Sequence, residues 1–229
     1  MIKVKICGQT SIEDSDTSLA LGADFIGVIY EVESSPRSLK LESASKIIST
    51  YPDQTFLLLC NHILDQEMID IIKLLNPYAI ELAGREDTAY LAKLHKHYKK
   101  KIFKSIHLPS SSLDIESDLQ NYNLAIQSFL KVGCDGFMLD SKVANLYGGT
   151  GIQNDWRLAS KIIATNQNIP IFLAGGINPA NINSALNINS LYGVDIASGS
   201  EGETKGKKSV KKLRSIFEAI RNNNQLVDN

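Results

Sequence analysis

The feature that most constrains this chain is an eightfold alternation of short aliphatic runs with longer segments of helical spacing. Each run is rich in β-branched or aliphatic residues and is followed by a polar turn, which predicts a strand leading into a helix. The eight predicted strands span residues 2–7, 25–30, 55–60, 79–82, 102–106, 136–139, 169–173 and 193–197. The repeat therefore predicts a chain of βα units.

The segments between the runs predict helices that would cover the strands. Isoleucine and leucine recur on one helical stripe through residues 68–75, and residues 181–186 follow the helix-starting pair Asn178-Pro179. Strands connected through helices form parallel sheets, which leaves a closed barrel or an open doubly wound sheet. The number of units and the length of 229 residues favour a single (β/α)8 barrel.

Composition limits the environment and the partners. A chain that is 43% hydrophobic can bury one large core, so we expect a barrel domain over residues 1–221 and a polar tail, 222–229, that frays. A formal net charge of -1 argues against a nucleic-acid partner. The N-terminus lacks a signal-peptide pattern and no apolar stretch approaches bilayer length, so we expect a cytoplasmic location and no membrane partner. We further expect a monomer or a homodimer. Widely spaced Cys7, Cys60 and Cys134 indicate reduced thiols.

Two residues at predicted strand ends are candidates for acid and base chemistry. In a barrel the active site is built from the carboxyl ends of the strands and the loops that follow. Cys7 ends the first strand and Asp140 directly follows the sixth. Each has an ordinary alternative, because a thiol is often a small buried residue and an aspartate is often a cap or turn residue.

Three glycine-containing loops are candidates for ligand binding. The loop after the sixth strand contains Gly148, Gly149, Thr150 and Gly151, which predict a lid over a ligand. The loops after the seventh and eighth strands contain Gly175, Gly176, Ser198 and Gly199. Loops in these two positions form the usual phosphate site of a barrel, so we expect a small phosphorylated molecule as the partner. Ordinary turn chemistry is the alternative for all three loops.

A basic loop residue is a candidate for carboxylate binding. Arg37 follows the second strand behind Pro36, and its guanidinium could hold a carboxylate bidentately, although most loop arginines are merely solvated. The four histidines show no metal-ligand spacing, and we expect no metal site.

Together these motifs resemble the phosphoribosylanthranilate isomerase family. The matching segments are Lys5-Ile6-Cys7-Gly8, Ser35-Pro36-Arg37, Leu139-Asp140-Ser141, Tyr147-Gly148-Gly149-Thr150-Gly151, Asp155-Trp156, residues 173–179 and Ser198-Gly199. They occur in the family's order over nearly the whole chain. The resemblance implies an aldose-ketose isomerase of tryptophan biosynthesis, which rearranges N-(5-phosphoribosyl)anthranilate to 1-(2-carboxyphenylamino)-1-deoxyribulose 5-phosphate without a cofactor.

The implied Amadori rearrangement assigns roles to the candidates. An acid must protonate the furanose ring oxygen and a base must remove the C2 proton. Asp140 would be the acid and Cys7 the base, so Asp140 should hold its proton near neutral pH and Cys7 should lose its proton readily. The substrate phosphate would lie on the two glycine loops after strands seven and eight, and its anthranilate carboxylate near Arg37.

The fourth strand departs from the family pattern. It reads Glu81-Leu82-Ala83-Gly84 where the family usually has Gln-Leu-His-Gly, so the mouth gains a carboxylate and loses an imidazole. We expect Glu81 to pair with a lysine such as Lys104, because an unpaired carboxylate would disfavour an anionic aromatic acid. Two alternatives follow: an isomerase of another phosphoribosyl amine, or a non-catalytic barrel that binds a phosphorylated metabolite.

Overall fold

The computed structural model describes residues 1–141 and 153–227. In this part of the chain there are nine strands and eight α-helices. Strands β1 to β9 are Lys3–Ile6, Phe25–Tyr30, Ser38–Leu39, Thr55–Leu59, Ala79–Leu82, Lys101–Leu108, Gly136–Ser141, Ile171–Leu173 and Gly193–Ile196. Helices α1 to α8 are Ile12–Leu21, Leu41–Thr50, Gln66–Leu75, Thr88–His97, Ile115–Leu130, Trp156–Thr165, Ile182–Leu186 and Val210–Val227.

Eight of the strands close into a parallel barrel. Strand β1 pairs with β2 on one side and with β9 on the other, which joins the two ends of the sheet. The short strand β3 lies outside the ring and pairs only with the end of β2 among the described residues. Each of the eight predicted runs overlaps one barrel strand, and the predicted (β/α)8 barrel is confirmed.

Acidic and hydroxyl side chains fix where several helices begin. Ser11, Asp65, Asp87, Asp114 and Asp155 precede α1, α3, α4, α5 and α6, and each side chain accepts a hydrogen bond from a backbone N–H of the first turn. Such caps satisfy donors that have no partner inside the helix, and they contribute about 1 kcal/mol each. The helices therefore start where the chain leaves the carboxyl ends of the strands.

The last helix extends further than the sequence predicts. Helix α8 continues to Val227, through most of the segment predicted as a fraying tail. Asn and Gln cost less than about 1 kcal/mol each relative to alanine in a helix, so backbone hydrogen bonding can propagate beyond Ile220, the last side chain described as buried. Within the described residues, no helix combines the length and the apolar character that crossing a membrane requires.

Alternate residues of the strands fill the barrel interior in layers. At the amino-terminal end, Phe56, Phe103 and Phe172 pack together, with ring centroids 5.1 to 6.4 Å apart. Because successive side chains of a strand point to opposite faces, residues two positions further along point inward nearer the mouth. There the chain places buried polar and charged residues such as Ser105, Lys5 and Glu81. The interior thus changes from aromatic at one end to ionisable at the other.

Candidate active site

A pocket at the carboxyl ends of the strands brings together most of the predicted site residues. Its lining includes Cys7, Arg37, Glu81, Asp140, Gly175, Gly176, Asp195 and Ser198, and its apolar wall includes Ile29, Leu58, Ala174, Ile177 and Ala197. Residues separated by up to 191 positions in the sequence therefore share one pocket. The predicted lid residues Gly148, Gly149, Thr150 and Gly151 lie outside the described residues.

Cys7 is buried at the end of β1, with 4% of its surface exposed. Gly27 of β2 makes room for it, because a Cβ at that position would lie 2.7 Å from the Cys7 sulfur. Burial raises the pKa of the Cys7 thiol to about 12; Lys5 opposes this effect, whereas Asp195 adds to it. The protonated thiol is therefore favoured, opposite to the expectation that Cys7 loses its proton readily.

Asp140 has the electrostatic environment that a general acid needs. Burial raises the pKa of its carboxyl group to about 6, the Ser141 backbone N–H lowers it by donating to Oδ1 at 2.7 Å, and Glu81 raises it. An ordinary aspartate has a pKa of about 3.9 and is fully ionised at neutral pH. The environment thus keeps a larger protonated fraction of Asp140, as its predicted role requires.

An ammonium group with two carboxylate partners lies below Cys7. The Lys5 Nζ donates to Glu81 Oε2 and to Asp195 Oδ2, both at 2.9 Å, and Ser105 Oγ donates to Glu81 Oε1 at 2.9 Å. The lysine is completely buried. One ligand atom each from Cys7, Glu81 and Asp195 lies within 4.8 Å of the others, but the Lys5 ammonium already supplies a cation to both carboxylates.

The predicted partner of Glu81 is wrong. Lys104 does not bond to Glu81; it donates to the backbone oxygens of Leu82 at 3.0 Å and Gly84 at 2.7 Å, and it contacts Glu86 at 3.3 Å. Lys104 directly follows an inward-facing residue on β6, so its side chain lies on the other face of the strand. The same alternation puts Lys5 on the face of Cys7, two residues away, which is the signal that could have identified it from the sequence.

Arg37 is not a solvated surface residue. It is 4% exposed, and its Nε and Nη2 donate to the two carboxylate oxygens of Glu201 at 2.5 and 2.8 Å. Lys208 Nζ lies 3.5 Å from Glu201 and donates to the backbone oxygen of Cys7 at 2.6 Å. The ion pair fixes Arg37 at the edge of the pocket. The sequence does not single out Glu201 or Lys208, because neither lies in a recognised motif.

The two predicted phosphate loops lie side by side. Gly175 and Gly176 adopt φ of 80° and 72°, which favour glycine, and Ser198 begins a short 3-10 helix that ends at Ser200. The loops approach closely, because a Cβ on Gly199 would lie 1.8 Å from the backbone oxygen of Ile177. This packing brings the backbone of both loops to the same side of the pocket, where amide groups can bind an anion.

Comparisons with known proteins place these features in a family context. A family model described as N-(5'-phosphoribosyl)anthranilate (PRA) isomerase matches residues 4–219. The chain is 31% identical over 226 residues to N-(5'-phosphoribosyl)anthranilate isomerase 1 of Methanosarcina mazei, covering 96% of this chain and 94% of the relative. It is 32% identical over 227 residues to the isomerase of Methanocella arvoryzae, covering 96% and 99%.

Solved structures agree over the whole barrel. The isomerase of Pyrococcus furiosus superposes with a TM-score of 0.80 at 25% identity, covering 97% of this chain and 100% of that one. A phosphoribosyl anthranilate isomerase in complex with reduced 1-(o-carboxyphenylamino)-1-deoxyribulose 5-phosphate gives a TM-score of 0.72 at 25% identity, with coverages of 97% and 100%.

Proposed function

The chain belongs to the N-(5'-phosphoribosyl)anthranilate isomerase family, and we propose that it performs the Amadori rearrangement of N-(5-phosphoribosyl)anthranilate in tryptophan biosynthesis. The product is 1-(2-carboxyphenylamino)-1-deoxyribulose 5-phosphate. The observation that carries the proposal is that a buried thiol, Cys7, and a half-buried carboxyl group, Asp140, line the same pocket at the mouth of the barrel.

Asp140 is the general acid for ring opening in this proposal. It donates its proton to the furanose ring oxygen while the nitrogen lone pair forms a double bond to C1 and the bond from C1 to the ring oxygen breaks. The ring oxygen leaves as the C4 hydroxyl group, and C1 becomes part of an iminium ion. The pKa of Asp140, raised by burial to about 6, leaves a usable protonated fraction near neutral pH.

Cys7 is the general base for the next step. Its thiolate removes the C2 proton, the electrons move into the C1–C2 bond and neutralise the iminium, and the resulting enolamine tautomerises to the ketone. Burial raises the pKa of Cys7 to about 12, so Cys7 starts as a thiol. It passes its proton to the Asp140 carboxylate that ring opening leaves in the same pocket, and the thiolate must be stabilised while it acts. The positive charge of the iminium supplies this stabilisation, because a nearby cation favours the charged form of a thiol and also acidifies the C2 proton.

The ends of the substrate are held by the pocket edges in this proposal. The phosphate lies against backbone amides of Gly175, Gly176, Ser198 and Gly199. Arg37, fixed by Glu201, faces the anthranilate carboxylate, and the pair Arg37 and Lys208 gives this edge more positive charge than Glu201 offsets. The predicted assembly state, monomer or homodimer, and the cytoplasmic location stay predictions.

Experiment can distinguish this proposal from the two alternatives, an isomerase of another phosphoribosyl amine and a non-catalytic barrel. Glu81 is paired with Lys5 and Ser105, so its charge is partly offset and does not oppose an anionic substrate as an unpaired carboxylate would. Competition of other phosphoribosyl amines with phosphoribosylanthranilate tests the substrate. A barrel that only binds a phosphorylated metabolite would show affinity without turnover.

The decisive experiment follows the fluorescence of freshly generated phosphoribosylanthranilate, which decreases as it is converted. We expect turnover by the wild-type protein, and a decrease in kcat of at least about 100-fold in Cys7→Ala and in Asp140→Asn with little change in KM. Cys60→Ala is the matched control, because this half-buried thiol follows β4 but does not line the pocket. Near-normal turnover in either pocket variant would remove that residue from the mechanism.

A further inference from the structure

The buried cluster of Lys5, Glu81 and Asp195 next to Cys7 carries more acidic than basic groups. The Lys5 ammonium serves two carboxylates, and Glu81 and Asp195 are 4% and 9% exposed. Asp140, which is half-buried, adds a third carboxyl group to the same pocket. The charged or titratable groups that act on Cys7 and Asp140 from the surrounding elements are Lys5, Glu81, Asp195 and Lys208, and Glu81 also acts on His107.

Such a cluster cannot hold every acid in its ionised form. Burying several like charges in a poorly solvated site is costly, so some of the groups keep a proton. Two features agree with this: Asp195 Oδ1 is buried without a hydrogen-bond partner among the described residues, and burial raises the pKa of Asp195 to about 7, with Glu81 adding to the effect. The protons are therefore distributed among coupled groups.

We propose that Glu81 is a positioning residue: through the Lys5 ammonium that it shares with Asp195, it sets how protons are distributed over the pocket and keeps Asp140 in its acid form. This inference rests on the proposed function of the same site. Glu81 stands at the position where the family resemblance leads one to expect glutamine, so the chain itself introduces the extra charge. Ser105 and Lys5 hold that charge in place from two other strands.

The direction of the effect follows from the sign of the charge. A carboxylate at position 81 favours the protonated form of Asp140, because two like charges in one pocket repel. In Glu81→Gln this repulsion disappears, while the amide can still accept from Lys5 and donate to Ser105. Asp140 then loses its proton at a lower pH, and the reaction loses its acid at that lower pH.

The test is the pH dependence of kcat/KM, which reports the free enzyme. We expect the alkaline midpoint of Glu81→Gln to move down by about 0.5 to 1 pH unit, so that kcat/KM falls about 3- to 10-fold above the midpoint and changes little well below it. Glu81→Asp keeps the charge and should keep the midpoint. Glu86→Gln is the matched control, since it removes another buried carboxylate paired with a lysine but outside the pocket lining.

A second measurement does not depend on turnover. The carboxyl carbon of Asp140 can be titrated by NMR in ¹³C-aspartate-labelled protein and assigned by its loss in Asp140→Asn. The Glu81→Gln change should lower this midpoint by the same amount as in the kinetics. If the wild type does not convert phosphoribosylanthranilate, the proposed function fails, yet this titration still decides the role of Glu81.

Two results would overturn the inference. One is a Glu81→Gln protein that is slower at every pH with unshifted midpoints, which a merely structural role predicts. The other applies even if that variant fails to fold: an Asp140 midpoint near the ordinary value of about 3.9 in the wild type would mean that the cluster does not hold a proton on the acid.

Discussion

Removing Glu201 should destabilise the protein more than removing its partner Arg37. Both residues are at most 4% exposed, and two charge-assisted hydrogen bonds of 2.5 and 2.8 Å join them. Glu201→Ala leaves two cations, Arg37 and Lys208, next to each other without the carboxylate. Breaking a buried pair in this way costs about 3–5 kcal/mol, a large part of a typical stability of about 5–15 kcal/mol.

Arg37→Ala is the milder change because Glu201 keeps Lys208 as a partner at 3.5 Å. We expect a loss of about 1–3 kcal/mol, the usual cost of removing one partner of a charged hydrogen bond. The same variant should raise KM for the proposed substrate about 10-fold or more if Arg37 binds its carboxylate. The free energy of unfolding is measured by urea titration with fluorescence and circular dichroism, both of which should report the same transition.

The pKa of Glu201 determines how the stability difference between the wild type and Glu201→Ala changes with pH. Burial acts to raise the pKa of Glu201, but Arg37 and Lys208 outweigh it, so the net pKa is below the ordinary range. A lowered folded-state pKa stabilises the protein above the unfolded value of about 4.3, and this stabilisation is lost as the pH falls through the folded value. The difference in the free energy of unfolding between wild type and Glu201→Ala should therefore become smaller below about pH 4.

The exposed pair Glu42 and Lys46 supplies the control, and Glu42→Ala should leave the unfolding midpoint unchanged. The reasoning would be refuted if Glu201→Ala cost less than about 1 kcal/mol, or no more than Arg37→Ala. The double variant should be less destabilised than the sum of the two single changes, because the residues are in contact.

Two further predictions concern a helix cap and a loop contact. Asp155→Ala should lower the free energy of unfolding in urea titrations by about 1–2 kcal/mol, because the carboxylate caps α6 and accepts from the Ser112 backbone N–H at 2.9 Å. Hydrogen bonding, above all with Arg157, lowers the pKa of Asp155. The loss of stability should therefore persist above about pH 4 and shrink below it. Gly199→Ala should raise KM by about 10-fold or more, with a smaller effect on kcat. The added Cβ would lie 1.8 Å from the backbone oxygen of Ile177, so one of the two proposed phosphate loops must move. A KM equal to that of the wild type would mean that the phosphate binds elsewhere.

The sequence by itself determined the architecture and the positions at which chemistry could occur. Hydrophobic periodicity and turn residues act over a few neighbouring positions, so they identify each βα unit from local information. Parallel strands present their carboxyl ends at one face, and this rule places Cys7 and Asp140 at that face. The same rule places there the glycines of the loops after the seventh and eighth barrel strands, β8 and β9. Helix α8 shows the limit of this information, since the polar residues 222–225 give no signal that the helix continues to Val227.

Only the tertiary structure decided which charges meet. Lys5 lies 76 and 190 positions from Glu81 and Asp195, and Arg37 lies 164 positions from Glu201. The pairings of Lys5 depend on strand register and on closure of β1 against β9, which sets Lys5 opposite Asp195. The pairing of Arg37 with Glu201 depends on two loops that meet at the mouth of the barrel. Burial decided the rest: it favours the protonated forms of both the Cys7 thiol and the Asp140 carboxyl group, an effect that depends on the surrounding atoms and not on neighbours in the sequence.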